Sequence, residues 1–211
     1  AGGLIAGFTV AILAGLVAVA PFAIDTYLPA LPLMARDLNA NIEWIQASIP
    51  AYLIGGAIGQ FFGGPISDQI GRKPVGLFGL LVYAVSCVAI SQCESVHALL
   101  ALRFTQALGG GCATVIVAAT VRDSQDGKNA ARMMALIGLI MTTAPLVAPA
   151  VGSGLLLVSG WRAIFTLLAL YALLMFVLLG WKVPESRGRA AVISLRSLAE
   201  AGAHAFLVGE A

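Results

Sequence analysis

Long apolar runs alternate along this chain with short polar links, and each run is of the length that a membrane-crossing helix requires, about 20 residues. Leu4–Ile24 carries no charge and predicts a first span that continues through Asp25 to Leu28, where Pro29 and Pro32 are expected to stop it. Trp44–Ser67 predicts a second span and Pro74–Cys93 a third, with Pro74 suited to a first helical turn. Ala98–Val121 gives a fourth, interrupted by the single charge of Arg103. Met133–Trp161 holds a fifth with a tight turn, and Ala163–Trp181 a sixth. The first run has no basic segment before it and no cleavage-site pattern, so it reads as a span rather than a signal peptide. Beyond Lys182 no run is long enough to cross a bilayer, and Ser194–Phe206 reads either as a short surface helix or as solvated linker. The pattern predicts an all-α integral membrane protein: a six-helix bundle over residues 1–181, then a cytoplasmic linker over 182–211.

Composition agrees with the pattern. Sixty per cent of the residues are hydrophobic and 10% charged, with a mean hydropathy of +0.96, far from a soluble globular chain. The net charge of +2 gives no argument for nucleic acid, but the placement of the charges sets an orientation. With the amino terminus inside, nine basic residues fall in inside segments (Arg72, Lys73, Arg122, Lys128, Arg132, Lys182, Arg187, Arg189 and Arg196) and two outside, Arg36 and Arg162. Both ends of the chain are therefore expected in the cytoplasm. Trp44, Trp161 and Trp181 all fall at span ends, where the membrane-water boundary favours them. Cys87, Cys93 and Cys112 have no metal-ligand or redox spacing, His97 and His204 are isolated, and no phosphate loop or nucleophile motif occurs. The sequence predicts neither an enzyme nor a metal site.

Three features carry candidate chemistry. Gly55, Gly59 and Gly63 repeat every four residues, a face that lets another helix approach backbone to backbone. It serves either static packing or sliding against a moving partner. The link GGPISDQIGRKPV, residues 63–75, places Asp68 and Arg72 four apart, able to pair on one helix face, and puts Gly71 at the turn. Arg72 and Lys73 are also what the positive-inside rule alone would place there. Asp25 and Arg103 are the intramembrane charges, each costing about 2.5 to 3.5 kcal/mol at depth, and their depths agree to roughly a turn or two of helix. A pairing between them would be either a structural salt bridge or a protonation site whose affinity the arginine sets. Gln106 lies one turn from Arg103 on the same face, and Pro145 and Pro149 are expected to kink the fifth span.

The link resembles the signature of the major facilitator superfamily, with Gly64, Asp68, Gly71, Arg72 and Lys73 matching and Gln69 departing. ALRFTQALGGG (101–111) resembles that family's fourth-helix motif. DTYLPALP (25–32), VRD (121–123), APLVAPAVGSGLL (144–156), GWRAIF (160–165) and VPES (183–186) resemble its drug:proton antiporters, in particular the bicyclomycin-resistance (Bcr/CflA) branch. The resemblance implies the amino-terminal half of a twelve-span fold, built of two inverted three-helix repeats, in a bacterial inner membrane. It implies export of a small apolar drug-like substrate by alternating access, driven by protons with no cofactor. Asp25 would carry the proton and Arg103 tune it. Gly64, Asp68, Gly71, Arg72, Lys73 and Asp123 would gate, with Asp68 meeting a helix end of the missing carboxy-terminal half. Pro145, Pro149 and Gly152 would shape the antiporter helix, while Tyr27, Tyr52, Gln106 and Met141 would face the substrate cavity. The alternatives are a proton-coupled metabolite carrier, a non-transporting six-helix scaffold, and a dimer of six-helix chains.

Overall fold

In a bilayer every backbone amide must find its partner inside its own segment or in the protein, which leaves a helix as the form open to these apolar runs. The computed structural model describes residues 2–124 and 127–183, and these are helical almost throughout. The elements are α1 (Gly2–Asp25), a 3-10 turn (Leu28–Ala30), α2 (Leu31–Asp37), α3 (Ile42–Gln46), α4 (Ser48–Ile70), α5 (Arg72–Ser91), α6 (Val96–Ser124), α7 (Gly127–Ser159) and α8 (Trp161–Lys182). Almost all of the expected linker, including Ser194–Phe206, lies outside the described residues.

Five stretches are long and apolar enough to cross a membrane: Thr9–Asp37, α5, α6, most of α7, and α8. The remaining expected span is α4. Its 23 residues suffice in length, but five glycines, Gln60 and two prolines dilute its hydropathy. It nevertheless turns Leu53, Ile54, Phe61 and Phe62 outward and buries Gly55, Gly59 and Gly63, as a membrane-embedded helix does. The end of the first span differs from expectation. Pro29 and Pro32 do not end the helical path, because each sits in the first turn of a new helical segment, where no amide donor is needed. The path from Thr9 therefore continues, with one break at Thr26–Tyr27, as far as Asp37.

Helix order follows from the close contacts. A Cβ on Gly55 would strike the Phe104 carbonyl, one on Gly59 the Leu108 carbonyl, and one on Gly63 would press on Cys112, so α4 and α6 run parallel with backbones touching. The glycine face is thus a packed seam inside the bundle, not a free sliding surface. Contacts of Gly79 with Gly109, and of Gly76 with Ile116, set α5 antiparallel to α6. On the far side, Gly152 lies against the Thr26 carbonyl, which pins α7 to the head of α1. The second long helix of each trio (α1, α4, α5 and α6, α7, α8) therefore packs on the first long helix of the other trio. Since each trio crosses three times, the two units have opposite sense, as inverted repeats require. Helix α7 is continuous through Pro145 and Pro149 and is the most exposed of the spans, with about 17% of its apolar window buried. Gly71 (φ 112°) and Gly160 (φ 76°) make the turns into α5 and α8 in backbone regions that other residues resist.

The seam predicts opposite outcomes for two glycines. Gly59→Val forces a side chain into the Leu108 backbone and should cost at least about 1 to 3 kcal/mol. Gly154→Ala meets nothing within 4 Å and should be neutral or stabilise by up to about 1 kcal/mol. Thermal unfolding of the two variants in detergent checks this, and equal melting temperatures would refute the seam.

Candidate functional site

Glycines at 109, 110 and 111 let α6 lie close to both α4 and α5, and that closeness fixes what surrounds Arg103 two turns earlier. Arg103 is fully buried. Its guanidinium carbon lies 4.3 Å from the Tyr27 ring centroid and 4.4 Å from that of Tyr52, with Phe165 at 5.8 Å. Arg103 Nη1 donates to Gln106 Oε1 at 2.7 Å, and Gln106 Nε2 donates to Cys87 Sγ at 3.0 Å. Each desolvated cation–π contact is worth about 2 kcal/mol and the charged hydrogen bond about 1.5 to 3, which together offset the insertion cost of one arginine. The helical spacing of Arg103 and Gln106 foretells their bond; the aromatic enclosure is contributed by three other segments and has no local signal.

Asp25 stands apart from this enclosure. Among the described residues no ion pair or hydrogen bond reaches its carboxylate, and the expected pairing with Arg103 is not formed. Tyr27, two residues on and past the end of α1, lies over the guanidinium instead. Matching depth is not matching direction around the helix axis.

Beside Tyr52 a groove opens between α1, α4 and α6 and continues to α7. Its two parts, of about 240 and 300 Å³, share Ala20, Gln60 and Thr114. Tyr52 lines the first part and Met141 the second, while Tyr27 and Gln106 are buried behind the wall. Small residues (Gly56, Ala57, Gly110, Gly111) create the space, and Gln60 and Thr114 supply polar groups that sequence reasoning did not single out. The volume is that of a small-molecule site. Among the described residues no cluster of His, Cys, Asp or Glu has the makings of a metal site.

Two arginine ties close the ends of the bundle. At one end Arg72, 10% exposed in its side chain, pairs with Asp68 on α4 and through Nε with Asp123 on α6 at 3.2 Å. Its Nη1 also donates to Ser67 Oγ at 2.7 Å, and Ser67 in turn donates to the Gly64 carbonyl. One buried guanidinium thus joins three helices, and removing a partner from such a charge costs about 3 to 5 kcal/mol. Asp68 remains 58% exposed on the bundle's end. At the opposite end Trp161 Nε1 donates to Asp37 Oδ2 at 2.8 Å, and Arg162 donates to Asp37 at 3.4 Å and to the Cys93 carbonyl at 3.3 Å. Trp161 packs edge-on against Phe165, which faces Tyr27, so this tie reaches the Arg103 enclosure. The Asp37–Trp161 bond is missed by sequence reasoning, its partners being 124 residues apart.

Known proteins fit this geometry. The model of the Major Facilitator Superfamily matches residues 12–207. The chain is 35% identical over 176 residues to a bicyclomycin resistance protein homolog of Haemophilus influenzae, covering 83% of this chain and 44% of the relative. It is 33% identical to the multidrug resistance protein MdtL of Shewanella oneidensis (84% of this chain, 45% of the relative) and 34% identical to that of Escherichia coli O157:H7 (86% and 46%). The chain spans about half the length of the curated relatives it matches. Among solved structures the fold is similar to the proton:xylose symporter XylE, with TM-score 0.73 and 19% identity over 86% of this chain and 45% of that one. It is also similar to the human organic anion transporter MFSD10, with TM-score 0.66 and 21% identity over 86% and 48%.

The second tie has a chemical readout. Burial pushes the Cys93 thiol above its ordinary range, an effect that the Arg162 guanidinium partly offsets. Less thiolate is then present at a given pH, so an impermeant maleimide should label Cys93 slowly at pH 7, with the rate still rising where an ordinary thiol has levelled off. Asp37→Asn loosens the cover and should speed labelling several-fold. Labelling of the unaltered protein at the rate of an exposed thiol would contradict this reading.

Proposed function

The chain belongs to the major facilitator superfamily, and on that premise we propose that it forms the amino-terminal half of a proton-coupled multidrug exporter working by alternating access. The names of its relatives support drug export. The observation that carries the proton part is Asp25: a partly exposed carboxylate without a partner among the described residues, ending the helix whose Val17, Ala20 and Ile24 line the groove. A carboxylate engaged by neither ion pair nor hydrogen bond has both oxygens free to take up and release a proton. Proton and substrate then meet at neighbouring positions on one helix, and each affects the occupancy of the other.

In this reading both chain ends lie in the cytoplasm of a bacterium, and the Arg72 tie is the inner one. Asp68, exposed beside it, meets a helix amino terminus of a second half when the inner side closes, a contact of about 0.3 to 1 kcal/mol. Gly64, Gly71 and Lys73 shape that link, and Arg72 and Asp123 hold its acid in place. Arg103 acts on Asp25 by moving, not by standing contact. Helix α7, with Pro145, Pro149 and Gly152, borders the groove as the mobile wall. The substrate is small and largely apolar, the energy source is the proton gradient, and no cofactor is called for.

Everted membrane vesicles carrying the complete transporter test the central role. Asp25→Asn should lower efflux driven by a pH gradient at least tenfold, whereas Asp25→Glu should keep a measurable part of it. Full gradient-driven efflux by Asp25→Asn would remove Asp25 from the proton path.

A further inference from the structure

The Arg103 guanidinium is only half satisfied. Nη1 has Gln106, but Nε and Nη2, both buried, have no acceptor. These two nitrogens share one edge of the guanidinium plane, and their N–H bonds point the same way, as a fork that matches the two oxygens of a carboxylate. The rings of Tyr27 and Tyr52 lie against the group, their centroids 4.3 and 4.4 Å from the guanidinium carbon. The Nε/Nη2 edge is the part of the group left open to an acceptor. Among the described residues no carboxylate forms an ion pair with Arg103. Buried charges left open in this way are rare in native structures, because each unpaired donor forfeits its solvation.

The walls of this enclosure differ in how they are held. The Tyr27 hydroxyl bonds to Ser48 Oγ at 3.0 Å, and Ser48 donates to the Ile45 carbonyl, so Tyr27 is tethered. Tyr52 has no such bond among the described residues, and it is also the residue that separates Arg103 from the groove. Rotation of one untethered side chain would join the fork to a space lined by Ala20, Ile24, Leu53, Ala57 and Ala107. A fork for a carboxylate at the end of a largely apolar groove, with Gln60 and Thr114 as its polar groups, fits a weak acid with an apolar body.

Resting on the exporter reading and narrowing its substrate, we propose that the Nε/Nη2 edge of Arg103 docks the carboxylate of an acidic amphiphile admitted past Tyr52. The same fork chemistry has an internal source in the Asp25 carboxylate, and the test separates the two.

The probe is benzoate, labelled with carbon-13 at the carboxyl, titrated into the purified complete transporter in nanodiscs without a pH gradient, with benzamide as its uncharged counterpart. Benzoate should saturate and shift its carboxylate infrared band, benzamide should bind at least tenfold more weakly, and Arg103→Lys, which keeps the charge but loses the fork, should weaken benzoate at least tenfold. Tyr52→Ala should speed benzoate association. Equal binding of benzoate and benzamide, or no benzoate binding at millimolar concentration, overturns the proposal, and the benzamide comparison stands even where Arg103→Lys does not fold. A tenfold tightening of benzoate binding in Asp25→Asn also overturns it, since the fork would then belong to Asp25. Because no gradient is applied, failure here leaves the proton-exchange reading to be judged by the vesicle assay.

Discussion

Helices in a bilayer gain little by hiding apolar side chains from one another, since the lipid is as apolar as they are, so association must come from close packing and polar contacts. In this bundle that constraint is met at the backbone. Helix α6 is the hub: Gly109 and Gly111 lie against α5 and α4, and the glycines at 55, 59 and 79 answer them from the other side. Without those contacts α4 would stand off by the width of a side chain. Tyr52, carried on α4, would then no longer reach the guanidinium that α6 carries.

The enclosure of Arg103 therefore depends on glycines that never touch it. It is built from the end of α1, from α4 and from α8, with Gln106 the neighbour from its own helix. Rings stabilise a cation without adding an opposite charge, so the centre of the bundle keeps a net positive potential near the groove. Potential of that sign raises the local concentration of anions and disfavours cations, and it bears on any carboxylate that approaches, whether from the chain or from a ligand.

What the sequence discloses and what it withholds divide by range. The Arg103–Gln106 bond follows from a spacing of three along one helix, and the turn was legible from Gly71, whereas the Asp68–Arg72 pair, expected on one helix face, forms across that turn between α4 and α5. Span number and position were legible from apolar runs, with α4 the least apolar because its seam needs glycine. Pro29 and Pro32 were ambiguous, since a proline that ends one helix equally well begins the next. The Asp25–Arg103 pairing failed as an expectation because residue counting gives depth in the membrane and not the direction in which a side chain leaves its helix. The Trp161–Asp37 bond and the aromatic walls join segments far apart in sequence, and only the packed bundle brings them together.

Each end of the bundle is fastened by one arginine, Arg72 across α4, α5 and α6, and Arg162 across the end of α2, the α5–α6 link and α8. Among the described residues neither fastening includes a side chain of α7, which seats Gly152 on the Thr26 carbonyl and buries Ala144 and Ala148. Among the described residues the two fastenings thus touch every long segment but α7. In the proposed cycle, a shift of α7 would change the volume of the cavity beside it without either fastening having to break.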